Sequence, residues 1–120
     1  MADYKRFDVQ SEGDVLILHM ADPRLFETLL VNELEDELLN IIDQRQPTKV
    51  IVNFARVTHC STSVINGLLR GKKRLTRIDG ALKLCGMRDT VREAYRILNL
   101  DGTVFEIYDD VAAALRTFAE

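Results

Sequence analysis

Residues 49–69 have the sequence KVIVNFARVTHCSTSVINGLL, and this stretch decides the fold. Its first part, Lys49 to Phe54, is a short apolar run rich in β-branched residues, which predicts a strand buried on both faces of a sheet. Small polar residues follow, and then apolar residues recur at helical spacing. A buried strand, a loop and an amphipathic helix in succession form the repeating unit of α/β proteins with parallel sheets.

The same alternation extends on both sides of this stretch. The predicted order is β-β-α-β-α-β-α-β-α, a single α/β domain over residues 1–120 with a mostly parallel mixed sheet and an N-terminal β-hairpin. The predicted strands and helices, in chain order, are strands at 4–10 and 15–20, a helix at 27–45, the strand at 49–54, a helix from about 62 to 78, a strand at 81–86, a helix opened by a capping box at Thr90-x-x-Glu93, a strand at 104–107, and a last helix capped by Asp109 or Asp110.

Length and composition narrow the class of protein. A chain of 120 residues with 47% apolar and 29% charged residues is typical of one globular domain. It contains no apolar run of the length that crosses a bilayer and no apolar stretch behind its first residues, so neither membrane insertion nor secretion is expected. Two cysteines are too few for a disulfide framework. A reducing, cytoplasmic location is therefore predicted.

The charges are unevenly distributed along the chain. The formal net charge is −3, but residues 70–96 contain nine basic and three acidic side chains. An acidic protein with one basic segment does not resemble a general nucleic-acid binder. The basic side chains indicate either a solvated helix face or a docking surface for an acidic partner; in the helix they are Arg70, Lys72, Lys73, Arg74 and Arg77.

The remaining candidate residues lack the spacing of known metal-binding and nucleotide-binding motifs. Cys60, His59 and Cys85 are too few and too irregularly spaced for a zinc site, so no metal is expected, and the thiols are predicted to be buried apolar groups. Gly71-Lys72-Lys73 lacks the upstream loop and final hydroxyl of a nucleotide-binding P-loop. We therefore expect no cofactor. His19 lies in an apolar strand and is predicted to be structural.

The loop from Thr58 to Ser63 is the strongest candidate site. It follows the central strand, at the sheet edge where α/β proteins bind their ligands. Consecutive hydroxyls at Ser61, Thr62 and Ser63 have two explanations. One of Ser61 and Thr62 is needed to cap the following helix, and a hydroxyl at a helix start is also a favourable position for a phosphate. Composition does not separate the two.

Residues 49–69 resemble the signature of STAS domains, the anti-sigma factor antagonist family. Family members have a strand, Asp-x-Ser-x-Val, an apolar pair, Asp-Ser and a helix of the type x-Gly-x-x-x-Leu. The second half of the chain is also similar, at Ala81–Gly86, Val91-Arg92, Leu98 and Phe105–Tyr108. The resemblance covers nearly the whole chain in the same element order.

The resemblance implies a binding module that catalyses nothing. Thr62 falls on the phosphorylatable Ser of the family, Ser61 on the Asp before it, and Asn53 on the Asp that ends the central strand, where it would support the loop. A module of this kind captures an anti-sigma factor or a switch-type serine/threonine kinase; phosphorylation releases it and a phosphatase restores it. The expected contact residues are Ser61, Thr62, Ser63, Asn66 and Arg70.

Two acids of the family pattern are neutral here, at Asn53 and Ser61, and the acceptor is Thr instead of Ser. The departures leave alternatives open. Ser61 or Ser63 is the acceptor in one of them, and a STAS scaffold that binds partners without being phosphorylated is another. A small thiol enzyme that uses Cys60 with His59 is a rival from a different class, and carriage of an apolar ligand is a further possibility by fold analogy.

Overall fold

The computed structural model describes residues 4–119 and confirms the predicted α/β architecture. Each predicted helix and strand is present, and two short strands of two residues each are added. The elements are β1 (Phe7–Glu12), β2 (Val15–Met20), β3 (Arg24–Leu25), α1 (Thr28–Arg45), β4 (Lys49–Asn53), β5 (His59–Cys60), α2 (Ser63–Thr76), β6 (Ala81–Cys85), α3 (Asp89–Ile97), β7 (Glu106–Tyr108) and α4 (Val111–Ala119).

The main sheet has the strand order β1-β2-β4-β6-β7, with β4 in the centre. Val50, Ile51 and Val52 are fully buried, as expected of a strand covered on both faces. β1 pairs with β2 in an antiparallel hairpin, and all other neighbours in this sheet are parallel. The carboxyl ends of β2, β4 and β6 therefore meet at one edge, where the loop after Asn53 begins.

The two faces of the sheet carry different layers. Helices α1, α2 and α3 bury their apolar sides against one face, and α4 covers the other. Because side chains alternate along a strand, Leu84 of β6 lies in the first layer and Cys85 in the second. Lys83 also faces α4, where its Nζ donates a hydrogen bond to Thr117 Oγ1 (2.7 Å) and lies 4.3 Å from the Phe118 ring centre.

Several sequence-based boundaries need correction. β1 continues to Glu12, so the hairpin turn lies at Gly13 and Asp14 instead of 11–13. The capping box at Thr90 is wrong, because α3 begins at Asp89 and Thr90 is already helical. The cap of α4 is confirmed for one of its two candidates, since the Ala113 N–H donates to Asp110 Oδ1 (2.8 Å).

Candidate functional site

The loop between β4 and α2 is held in place by a small second sheet. β3 and β5 pair in parallel, with Leu25 opposite Cys60. The Ser61 N–H donates to the Leu25 carbonyl (2.8 Å), and Thr58 Oγ1 donates to the Pro23 carbonyl (2.9 Å). These bonds fix the backbone leading into α2. The sequence did not predict β3 and β5, because strands of two residues show no periodicity.

Asn53 fixes the other end of this loop. Its Oδ1 accepts the Ala55 N–H (3.1 Å), and its Nδ2 donates to His19 Nδ1 (3.0 Å). His19 Nε2 in turn donates to Gln10 Oε1 (2.8 Å). The pKa of His19 lies below its ordinary value, first because the ring is partly buried and then because Arg56 is nearby. A neutral ring is the form that accepts a bond from Asn53 at Nδ1.

Ser61 caps the start of α2. Its Oγ accepts the Ser63 N–H (3.2 Å) and shares a hydrogen bond with Ser63 Oγ (2.7 Å), while its carbonyl accepts the Val64 N–H (3.1 Å). Thr62 already has helical backbone angles, and within residues 4–119 its side chain forms no capping hydrogen bond. The Thr62 residue is exposed at the helix start. Ser61 thus caps the helix, and the Thr62 hydroxyl is not used for capping.

The five predicted contact residues lie on two sides of the start of α2. Ser63, Asn66 and Arg70 line a groove of about 250 Å³ between α1 and α2. Ser61 and Thr62 line a second cavity of about 160 Å³ between the loop and α3. The structure therefore divides these residues between the groove and the cavity and does not place them on one continuous face.

Arg70 is held across the first groove by an ion pair. Its Nη1 lies 2.5 Å from Glu35 Oε1 of α1, with the arginine side chain well exposed and the carboxylate mostly covered. The rim of the groove thus offers both signs of charge over an apolar floor that includes Leu34 and Leu68. Such a groove suits a partner segment with an apolar face and polar flanks.

The prediction of buried thiols is confirmed for Cys85, whereas Cys60 is only partly buried. Burial raises the pKa of Cys60 to about 12, so its nucleophilic thiolate form is disfavoured. The Cys60 Sγ donates to the Ser61 carbonyl (3.6 Å), whereas His59 Nδ1 meets Thr58 Oγ1 (3.0 Å). This geometry gives no support to thiol catalysis by a Cys60–His59 pair. Residues 4–119 also contain no cluster of three side chains arranged to hold a metal ion.

The second cavity contains residues that sequence analysis did not assign to a site. Phe26, Ala94 and Tyr95 line it opposite Ser61 and Thr62. The sequence pattern assigned no role to Tyr95, which lies on the buried side of α3. Its hydroxyl was the available signal, because a buried tyrosine normally needs a hydrogen-bond partner.

No curated protein matches the sequence significantly. Among the described residues, no helix combines the length and the apolar character of a membrane span.

Solved structures match the chain over nearly its full length. An anti-sigma factor antagonist (STAS) domain protein from Planctomyces limnophilus is 24% identical, with a TM-score of 0.82 over 95% of this chain and 98% of that one. An anti-sigma factor antagonist from Mycobacterium paratuberculosis is 14% identical, with a TM-score of 0.82 over 95% and 93% of the two chains. The phosphorylated form of the Bacillus cell fate determinant SpoIIAA is 19% identical, with a TM-score of 0.68 over 92% and 98%. These similarities establish a common fold.

The family itself follows from a match in sequence. The model of the STAS domain matches residues 6–114, which include every strand and all helices except the end of α4. The resemblance first seen at residues 49–69 is therefore confirmed, and the chain belongs to the STAS domain family.

Proposed function

We propose that this protein is a single-domain, non-enzymatic regulatory module of the bacterial cytoplasm that binds an anti-sigma factor or a switch-type serine/threonine kinase and is released by phosphorylation of Thr62. The observation that carries the proposal is the division of roles at the start of α2. Ser61 caps the helix, and Thr62 is exposed without a capping bond at the position that corresponds to the family's phosphorylatable Ser.

The chemistry of the helix start favours a phosphate on Thr62. The first turn of α2 contains no acidic side chain, so its partial positive charge is not already neutralised. A phosphate adds about −1.5 to −2 charges at neutral pH. Asn53 and Ser61 replace two family acids, which removes two sources of repulsion toward that phosphate.

The same phosphate would change the surface that meets a partner. Thr62 is adjacent to Ser63, and Ser63 and Asn66 line the groove between α1 and α2. The new charge on Thr62 would stand beside Ser61 and Ser63, at the end of the predicted contact surface that continues along α2 to Asn66 and Arg70. An acidic partner docked near Arg70 would be repelled, and a phosphatase that removes the phosphate would restore binding.

Intact-mass spectrometry tests the proposed switch. The protein is incubated with ATP, Mg²⁺ and candidate switch kinases that bind it, alongside the variants Thr62→Ala, Ser61→Ala and Ser63→Ala. We expect one added phosphate in the wild type and in both serine variants, and none in Thr62→Ala. Addition in Thr62→Ala would transfer the acceptor role to Ser61 or Ser63, according to which serine variant loses it.

A scaffold that is independent of phosphorylation is the second candidate. The neutral side chains at Asn53 and Ser61 favour it, because a kinase that reads the family acids would not find them here. In this case a bound kinase transfers no phosphate, and Thr62→Glu binds the partner as tightly as Thr62→Gln does. A loss of binding that is specific to Thr62→Glu would instead support the switch.

A further inference from the structure

Four basic side chains form a row on the outer side of α2. Their spacing of i, i+3, i+4 and i+7 places them on one side of the helix, over two turns or about 10 Å. With Leu39 of α1 they line a shallow concavity of about 110 Å³. The row, hereafter the basic face, consists of Arg70, Lys73, Arg74 and Arg77. The sequence of α2 contains no acidic residue that could neutralise these charges from within the helix.

Half of the basic face is left without a carboxylate partner. Arg70 is held by its ion pair with α1, and Arg74 Nη1 donates to Asp43 Oδ2 (2.8 Å). Lys73 and Arg77 are exposed, and in the described part of the chain neither forms an ion pair or a side-chain hydrogen bond. The face therefore keeps two positive charges that α1 does not compensate.

The helix dipole accounts for only part of this row. Cations in the last turn of a helix are stabilised by its partial negative charge, and Lys73 and Arg74 occupy that turn. Arg70 lies outside the last turn. Lys72, in the same helix, is turned away from the row, because its Nζ donates to the Val104 carbonyl.

The surroundings of the basic face favour a protein over a nucleic acid or a membrane. α1 packs directly beside α2 and exposes Asp36 and Asp43. A nucleic acid or an anionic bilayer would also bring its charges over α1, where these carboxylates repel them. The concavity is far smaller than the roughly 300–1,000 Å³ of a small-molecule pocket. A helix with one stripe of carboxylates, in contrast, matches a narrow row of cations.

We infer that the basic face docks an acidic helix of a protein partner, with carboxylates on two successive turns opposite the cations and an apolar side chain over Leu39. The inference rests on the proposed function only in that the chain acts by binding a protein. It does not depend on Thr62. Arg77 follows Thr62 by 15 residues, or about 22 Å along the helix. This exceeds the Debye length of about 8 Å at physiological salt, so a phosphate on Thr62 would leave the far end of the face unaffected.

Titration of the ¹⁵N-labelled, unphosphorylated full chain with two helical peptides at low ionic strength tests the inference. Both peptides have the same composition and net charge. The first places Glu at i, i+3, i+4 and i+7 beside one Leu, and the second distributes the same residues around the helix. We expect the first to give saturable amide shifts along residues 70–77 and to bind about tenfold more tightly than the second. A DNA duplex and vesicles of phosphatidylglycerol and phosphatidylcholine should bind more weakly than the first peptide.

Two double variants separate the basic face from the overall charge. Lys73→Glu with Arg77→Glu turns two attractions into repulsions and should lower the affinity for the first peptide about tenfold. Arg88→Glu with Arg116→Glu changes the net charge equally at two exposed cations outside the face and should leave the affinity nearly unchanged. The amide spectrum verifies that each variant is folded.

The inference is overturned if the first peptide gives no saturable shifts, if the two peptides bind equally, or if both double variants lose affinity alike. Tighter binding of the DNA or the vesicles than of the first peptide would also overturn it. None of these results affects the mass shift expected for Thr62, so a failure of docking and a failure of the phosphorylation switch are distinguishable.

Discussion

Asn53 and His19 show how single side chains control the backbone of the loop. Asn53 connects three segments, since it bonds to His19 of β2 and to Ala55 of the loop and accepts a weak bond from the Cys85 thiol of β6 (3.6 Å). The sequence predicted a supporting role for Asn53 from the family resemblance alone. The hydrogen bonds are consistent with that role, which remains a prediction until the site is tested.

The protonation of His19 should make stability depend on pH. Its pKa is lowered in the folded state by burial and by Arg56, and Asp8 on the facing strand β1 opposes this shift only in part. The unfolded chain therefore binds more protons near and below about pH 6.5. Stability should be fully present above that pH and fall as the solution is acidified, with a slope below the ~1.4 kcal/mol per pH unit of one fully titrating proton.

Urea unfolding between about pH 7.5 and 5.5 measures this slope. The matched variant is His19→Asn, which keeps an oxygen that can accept from Asn53 Nδ2 but does not titrate. As pH falls, the free energy of unfolding of the wild type should decrease relative to that of the variant. Parallel curves for the two proteins would show that His19 is not responsible.

Gly86 should resist substitution more than another glycine with a similar backbone. Gly86 and Gly102 have φ angles of +73° and +80°, where a side chain is strained. A Cβ at Gly86 would also overlap Asn53 Oδ1 and lie 3.1 Å from Ala55 N, whereas a Cβ at Gly102 would meet nothing within 4 Å.

We expect Gly102→Ala to cost about 1–2 kcal/mol from backbone strain, and Gly86→Ala to cost a further ~1–3 kcal/mol from overpacking. Chemical denaturation of the two variants measures the difference. Equal losses would mean that Asn53 moves aside without cost. The comparison thus separates the contacts with Asn53 and Ala55 from the strain that both positions share.

At the scale of elements, two glycines in α2 let α1 pack directly against the backbone of α2. A Cβ at Gly67 would lie 3.3 Å from Glu35 Cβ, and one at Gly71 would lie 2.7 Å from Leu38 Cδ2. Glycine in a helix interior costs about 1 kcal/mol relative to Ala. Both glycines should therefore serve a purpose that offsets this cost. The approach of α1 provides the packing reason.

The two hydroxyls at the start of α2 should differ in their effect on stability. Ser61→Ala removes the bond that caps the helix and should lower the free energy of unfolding by about 1 kcal/mol. Thr62→Ala removes an exposed side chain that makes no capping hydrogen bond, so the free energy of unfolding should change by less than about 0.5 kcal/mol. Thermal or urea unfolding of both variants measures this. A larger loss in Thr62→Ala than in Ser61→Ala would reverse the assigned roles.

At the scale of the whole molecule, the two thiols are protected by different layers of the core. Cys60 packs against the cluster formed by α1, α2 and α3, and Cys85 lies beneath α4. Burial raises the pKa of each thiol to about 12. Neither thiol should therefore react readily with iodoacetamide in the folded protein, since the thiolate is the reactive form.

Alkylation followed by mass spectrometry checks this protection. Buried Cys85 should be modified only as the protein unfolds, and the partly exposed Cys60 should react slowly because its thiol stays protonated; both should react at once in denaturant. Rapid modification of Cys60 alone in the folded protein would revive the thiol-enzyme alternative. In the Cys85→Ser variant Cys60 is the remaining thiol, so the rate of alkylation is that of Cys60.

The sequence by itself determined the order of the helices and strands, the central position of Lys49–Asn53 and the family. These properties depend on local hydrophobic periodicity and on a motif of adjacent residues, which are readable along the chain. Its errors fell at boundaries and at the two-residue strands β3 and β5, which it missed. The capping box at Thr90 failed because the pattern Thr-x-x-Glu also occurs inside a helix, and the N-cap of α3 is Arg88, two residues earlier.

The tertiary structure was needed to show which hydroxyl caps α2 and how β3 holds the loop. Each of these facts depends on atoms that are distant in sequence or on the direction of one side chain. Ser61 and Thr62 are neighbours of similar chemistry, so composition cannot distinguish them. Their different hydrogen bonds arise from the path that the β3–β5 pairing imposes on the backbone.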